Sequence, residues 1–310
     1  MQNLALPYFF NFIDPKDLTE IASRVREINP EIRTIVANIE RNDSVLLKKM
    51  ASAPLLTVEF CRTRGFEPPR GPWLRSLPVN KAAQLRIVES AGLSVPFWKR
   101  YERGLRVSED DFGPYVFVKS TLEGKSNGNG NVLIRTRDFD RVKPVLDANY
   151  TGIGAPTAIV QKFIDTGPLP THHRVLLFFG KPIVSRLNRS NGLSAVYTPA
   201  QPLFAKDNIA SNRGERSNML HKEDDVLQFA SAIAGLFPDK PIIGMDIIRS
   251  EADGKLYFLE ANVGNVWVFS TQSAQEQRSQ LGGVEAIKAQ FGAFDVCAAA
   301  LAEKVRELAA

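Results

Sequence analysis

Residues 242–262, IIGMDIIRSEADGKLYFLEAN, decide how the rest of the chain is read. IIGMDIIR and KLYFLEAN are both strand-like. Between them, Ala252–Asp253–Gly254 has the form of a three-residue hairpin loop, with glycine last, where the backbone turns left-handed. A loop of that length sets Asp246 opposite Glu260, with Cβ atoms roughly 5 Å apart. Side chains alternate along a strand, so Asn262 shares the face of Glu260. Two carboxylates this close, on otherwise apolar strands, repel one another and lose hydration unless positive charge lies between them. An all-oxygen set without His or Cys suits a hard divalent cation, Mg2+ first and Mn2+ as its substitute. An exposed sheet face whose acids merely meet water is the competing account, and the hairpin alone does not decide.

Upstream, Lys119 follows the apolar run YVFV and precedes a loop containing Gly124, Gly128 and Gly130. Glycines let backbone N–H groups turn toward a phosphate, and a lysine ending an apolar strand calls for an anion. The spacing is neither a P-loop nor a dinucleotide fingerprint. A plain flexible hairpin turn is the alternative.

The chain has 310 residues, enough for two or three compact units around a cleft. Hydrophobic residues make up 44% and charged ones 24%, ordinary values for a globular protein. No run approaches the roughly 20 apolar residues of a membrane span. The start, MQNLALPYFFNFIDP, lacks a cationic segment and reaches Asp14 early, so a cytoplasmic protein without signal peptide is expected. Cys61 and Cys297 match no metal or redox spacing. The net charge of +5 is spread among acids and forms no basic block, which disfavours nucleic acid as a partner.

An α/β (α+β) chain with three parts is expected. Residues 1–75 alternate strand and helix in the order β-α-β-α-β, a small domain with a parallel sheet. Residues 76–155 hold the helix NKAAQLRIVESAGLSVP and two β-rich runs around the glycine loop. Residues 156–310 hold the strand TAIVQKFI (157–164), a hairpin in HRVLLFFGKPIVSRLNR (173–189) turning at Gly180–Lys181, a polar irregular stretch over 190–221, a helix over 222–237, the acidic hairpin and a C-terminal helix.

In this order, the helix NKAAQ…, VKSTLEGKSNGNGNV, VQKFI, HRVLLFFGKPIVSRLNR and GMDIIR…FLEAN resemble the ATP-grasp superfamily, in particular glutathione synthetases and ribosomal-protein glutamate ligases. The resemblance covers residues 75–270. It implies two antiparallel-sheet lobes clasping ATP, with Mg2+ bound. Lys81 and Lys119 would contact phosphates. Gln161, Lys162, Phe163 and Ile164 would form the strand that reads adenine, with Asp165 on the ribose. Arg174 would meet the γ-phosphate or acyl phosphate, with Arg189 a further basic candidate. Arg216 and Asn218 would lie beside the nucleotide, and Asp246, Glu260 and Asn262 would hold the metal.

The family usually carries an acid where Lys162 stands, and its metal motif continues into a proline-glycine turn where this chain reads ANVGNVW. The resemblance therefore implies a chemistry and not a substrate. A carboxylate would become an acyl phosphate, and an amine would displace phosphate; amino acids or a peptide are the expected partners, and a homo-oligomer is compatible. No protein nucleophile is needed, which fits the absence of a Gly-x-Ser-x-Gly elbow. A small-molecule kinase on the same fold and a nucleotide-binding regulatory protein without catalysis are the alternatives.

Overall fold

The computed structural model describes residues 1–10, 12–40, 44–121, 131–151, 157–198 and 215–309, with the backbone alone of 204–205. Gly124, Gly128 and Gly130, and much of 190–221, lie outside the described residues.

The chain opens with β1 (Gln2–Tyr8), α1 (Pro15–Ile28), β2 (Ile32–Asn38), α2 (Ser44–Ala51), β3 (Leu55–Val58) and β4 (Trp73–Leu74). Next come α3 (Lys81–Ser90), β5 (Trp98–Arg100), α4 (Glu109–Phe112), β6 (Tyr115–Ser120), β7 (Val132–Arg135), α5 (Phe139–Tyr150) and β8 (Ala158–Lys162). Then follow β9 (Thr171–Phe178), β10 (Lys181–Ser190), β11 (Phe204–Ala205), β12 (Arg216–Leu220), α6 (Asp224–Ala234), β13 (Ile242–Arg249) and β14 (Leu256–Val263). The chain closes with α7 (Gln275–Gln280), α8 (Gly283–Ala289) and α9 (Ala293–Leu308).

The first sheet runs β2-β1-β3-β4 with parallel pairings, as alternating strands and helices require. Helix α1 starts where the Asp14 carboxylate accepts the Lys16 N–H at 2.9 Å and Pro15 needs no donor of its own. Its buried Leu18, Ile21, Ala22 and Val25 recur at helical spacing and join a core with α9 and the sheet. The short β4 begins at the end of the proline-rich stretch FEPPRGPW (66–73) and adds a fourth strand to the expected three.

The second sheet, β11-β7-β6-β8-β5, is antiparallel. Phe112, Phe139 and Leu146 from its helices pack against Val116, Val118, Ile134 and Val160. Strand β8 ends at Lys162, two residues before the expected end. The third sheet, β12-β10-β9-β13-β14, is also antiparallel. Its strand β12 falls inside the stretch expected to be irregular.

Alternation gives the third sheet two different faces. Val175, Leu177, Ile243, Met245 and Ile247 point into an apolar cluster with α3 and α6, which Ile159 of the second sheet also joins. On the other face, Leu176, Phe178, Val184 and Ile242 meet the core of the first sheet and α9. Further along the same strands that face becomes polar, and the candidate site begins there.

Both hairpins of this sheet depart from simple pairing. The β9–β10 turn is Phe179–Gly180, one residue earlier than expected, and Ile183 is then an extra residue in β10, so that Arg186 lies opposite Arg174. In the acidic hairpin Ser250 pairs with Lys255, which makes the loop the four residues 251–254. A one-residue bulge at Leu259 then restores the register, and Asp246 lies opposite Glu260 as expected.

Candidate active site

A row of side chains crosses the third sheet at one level. Glu260 on β14 faces Asp246 on β13, Asp246 faces Arg174 on β9, and Arg174 faces Arg186 on β10. Two anions therefore adjoin two cations on a single polar face. The positive charge that two such carboxylates require is supplied in part by the protein itself.

The Arg174 guanidinium makes a two-pronged pair with Asp246, Nε to Oδ1 and Nη2 to Oδ2. Burial pushes the Asp246 carboxyl upward, but Arg174 and His172 outweigh it and hold the group below the usual aspartate range. Glu260 takes a different cation: its Oε2 lies 2.6 Å from Nζ of Lys81, the first residue of α3. Asn80 fixes that helix start by accepting the Ala82 N–H at 2.9 Å. Gln84, one turn on, clamps α3 to the β14 backbone, donating to Ala261 O at 2.9 Å and accepting from Ala261 N at 2.7 Å.

Asn262 sits between the acids, its Nδ2 3.1 Å from Asp246 Oδ2 and 3.4 Å from Glu260 Oε1. Among the described residues no group of three or more His, Cys, Asp or Glu is placed to hold a metal. The candidate set is two carboxylates and one amide. A carboxylate offers about four lone-pair positions, so Asp246 retains capacity beside Arg174. Turning the Asn262 amide over would present its oxygen to the same point. The donor set thus fits a hard divalent ion.

Lys119 approaches from the second sheet. It is 9% exposed, and no carboxylate oxygen lies within ion-pair distance of its Nζ among the described residues. Burial is the main reason its pKa falls to about 8; Glu260 and Asp246 act the other way. Lys119 is therefore a buried amine in the field of two acids, without a direct carboxylate partner among the described residues.

The expected adenine strand is built as a strand only in part. Gln161 is buried in β8, with its Nε2 lacking a hydrogen-bond partner among the described residues, whereas the Lys162 side chain is exposed. Phe163 lies past the strand end, though its N–H still reaches Tyr115 O at 3.2 Å, and Ile164 follows it. Asp165 accepts Gly167 N–H at 3.0 Å and Tyr197 O–H at 2.5 Å.

Lys81, Arg174, Glu260 and Asn262 line a cavity of about 680 Å³, joined there by Arg216 and Asn218. Gln161 to Asp165 do not line it, and neither do Lys119 and Asp246. Asn218 is buried, and its Nδ2 donates to Gln280 Oε1. Arg189 is exposed, because the Ile183 bulge gives the site-facing positions to Arg186 and Asn188. Sequence reasoning missed Arg186 and left His172 without a role. His172 Nε2 lies 2.8 Å from Asn188 Nδ2 and 3.6 Å from Asp246 Oδ1. The signal for His172 was its spacing, two residues before Arg174; for Arg186 simple alternation gave none.

No family model matches the sequence, and no curated relative does either. Solved structures do match. A D-alanine–D-alanine ligase from Bacillus anthracis is 13% identical, with a TM-score of 0.52 over 99% of both chains. The D-cycloserine synthetase DcsG is 14% identical, with a TM-score of 0.52 over 98% of this chain and 99% of that one. The ATP-grasp ligase PsnB, complexed with a phosphomimetic variant of minimal precursor, Mg and ADP, is 13% identical, with a TM-score of 0.52 over 94% of this chain and 99% of that one. The chain has the ATP-grasp fold. Within that ATP-grasp fold, the second and third sheets are the two antiparallel lobes, and Lys119 and the acidic hairpin come from opposite ones. The parallel first sheet precedes them.

Proposed function

We propose that this protein is an ATP- and Mg2+-dependent carboxylate–amine ligase. The observation that carries the reading is the Glu260–Asp246–Arg174 row, with the buried Lys119 of the other lobe in the electrostatic field of its two acids. Such an arrangement suits a reaction in which negative charge builds up on transferring phosphoryl oxygens and no protein nucleophile takes part. The likeness to solved ligases supports the same reading at the level of fold.

In the first step a substrate carboxylate oxygen bonds to the γ-phosphorus and the bond to ADP breaks, leaving an acyl phosphate. In the second an amine nitrogen bonds to the acyl carbon, inorganic phosphate departs and the amine proton passes to solvent. Asp246, Glu260 and Asn262 would hold Mg2+, which neutralises phosphate charge when bound. Lys119 and Lys81 would hold phosphate oxygens, and Arg174 would steady the acyl phosphate. Gln161 to Asp165, with Arg216 and Asn218, would line the nucleotide. Three domains, 1–75, 76–155 and 156–310, and amino acid or peptide substrates in the cytoplasm belong to the same proposal. Among the described residues no helix is long and apolar enough to cross a membrane.

The test uses the purified chain. ATP with Mg2+ should raise its melting temperature, and ADP and phosphate should appear in equal amounts with some member of a panel of carboxylates and amines. Mass spectrometry should then find an amide. A phosphorylated hydroxyl product would replace the ligase with a kinase, and no stabilisation by ATP with Mg2+ would sink the nucleotide site itself.

A further inference from the structure

Arg186 has no place in the reaction just described, and its surroundings are unusual. The side chain lies in the middle of the third sheet, is 8% exposed, and lines the cavity. Its guanidinium makes no hydrogen bond or ion pair among the described residues, and Nε is fully enclosed without a partner. Its strand neighbour in the row is Arg174, already committed to both oxygens of Asp246. Burial and the Arg174 charge beside it push the Arg186 pKa down to about 9. A cation in this position costs the unliganded protein stability, since burial strips most of its hydration and Asp246, two strands away in the row, offsets that only in part.

A second unmatched atom lies on the adjacent strand. Asn218 Oδ1 is buried and lacks a partner, while its Nδ2 is turned to Gln280. Asn218 pairs with Asn188, two residues along β10 from Arg186, so both unmatched groups border one part of the cavity. One is a planar fork of donors and the other an acceptor. That part lies one strand beyond Arg174, on the side away from the acids.

We propose that Arg186 anchors a second carboxylate of the substrate, one that does not react, so that this enzyme selects dicarboxylic substrates. The planar guanidinium fork matches a carboxylate with two parallel hydrogen bonds. Asn218 Oδ1, here turned to the substrate and not to the nucleotide, takes an N–H of the substrate beside that carboxylate. The inference rests on the ligase reading for the identity of the reacting end, but the anion site stands on Arg186 itself.

The experiment has two arms. In the first, calorimetry measures binding of diacids from succinate to adipate, and of monoacids of equal length, to the nucleotide-free chain. A diacid should bind, its monoacid should bind at least tenfold more weakly, and Arg186→Met should weaken the diacid by roughly 10- to 100-fold. In the second, ADP release is followed with hydroxylamine as a general amine. The diacid should be preferred, and Arg186→Met should raise its KM while kcat changes less. The melting temperature of unliganded Arg186→Met should equal or exceed that of the parent; a clear fall would give Arg186 a structural role and overturn the proposal. Equal binding of mono- and diacids would overturn it too, as would an Arg186→Met protein that loses ATP affinity while keeping diacid preference. Diacid binding in a chain that ATP with Mg2+ does not stabilise would retain the anion site and remove the ligase reading.

Discussion

Lys81 Nζ lies 2.6 Å from Glu260 Oε2, so the first residue of α3 neutralises an acid on the edge strand β14. Both side chains are about a quarter exposed, at 26% and 23%, and the pair can exchange partners. On the proposed reading, a divalent ion and a phosphate entering together would exchange this pair, the ion taking the acid and the phosphate the lysine. The pair would then hold both groups in place before either ligand arrives.

That exchange predicts the behaviour of Glu260→Gln. The amide keeps the shape but cannot balance a divalent cation, so stabilisation by ATP should no longer depend on Mg2+. ADP release should fall by about 100-fold or more, the usual effect of removing one group that stabilises transition-state charge. Thermal melting with ATP, with and without Mg2+, checks the first outcome; coupled ADP assays check the second. Undiminished Mg2+ dependence would remove Glu260 from the metal set.

Lys119 predicts a pH effect. Its folded pKa, about 8, is below the ordinary lysine value of 10.5. Between these values the unfolded chain binds more protons, so this group's contribution to stability rises with pH across the window. Below pH 8 the full cost of burying the charged amine applies, about 3 kcal/mol. Lys119→Met should therefore be more stable than the parent at neutral pH, and the advantage should shrink toward pH 10. Its kcat/KM for ATP should collapse, while that of the parent should decline above about pH 8 as the free enzyme loses the cation. Urea melts at several pH values and an ATP-dependent rate profile test both.

Part of this site was legible in the sequence, and the rest was hidden for identifiable reasons. Alternation and a short glycine loop sufficed to oppose Asp246 and Glu260. The loop is one residue longer than expected, but the bulge at Leu259 compensates. The bulge at Ile183 has no such compensation: it turns Arg186 inward and Arg189 outward, and alternation alone cannot foresee it. Strand β12 escaped because it pairs on one side only, and an edge strand can remain as polar as the loop around it. Lys81 was readable as a helix residue, but its partner comes from a strand about 180 residues away, beyond any local pattern.

The Arg174–Asp246 pair predicts unequal costs for its two halves. Arg174→Met leaves a 6% exposed carboxylate without its main cation and should destabilise the chain by about 3–5 kcal/mol. Asp246→Asn removes the charge but keeps the shape, and the double variant should be more stable than Arg174→Met alone. A double-mutant cycle by urea denaturation should give a coupling of about 1–3 kcal/mol. Additive losses would mean that each group is held by other partners. The same pair requires Asp246 to stay ionised: its folded pKa is depressed, so its share of stability is present above the normal aspartate range and lost as pH falls through the folded value.

His172 should contribute to the acid limb of stability above that range, alongside His173, whose pKa burial also lowers. Burial is the main cause that lowers its pKa from 6.5 to about 4, against the pull of Asp246. The folded ring is therefore neutral at pH 5, where an unfolded histidine is protonated. The unfolded state binds more protons between pH 4 and 6.5, so stability due to His172 is complete above this window and is lost as pH falls through it. His172→Gln keeps a polar group near Asn188 without the titration, and should flatten the fall in stability by about 3 kcal/mol across the window. Denaturation curves at half-unit intervals, with histidine NMR titration of the folded parent, measure this directly. A folded-state midpoint near 6.5 would show that water reaches the ring and would exclude His172 from the dry wall of the site.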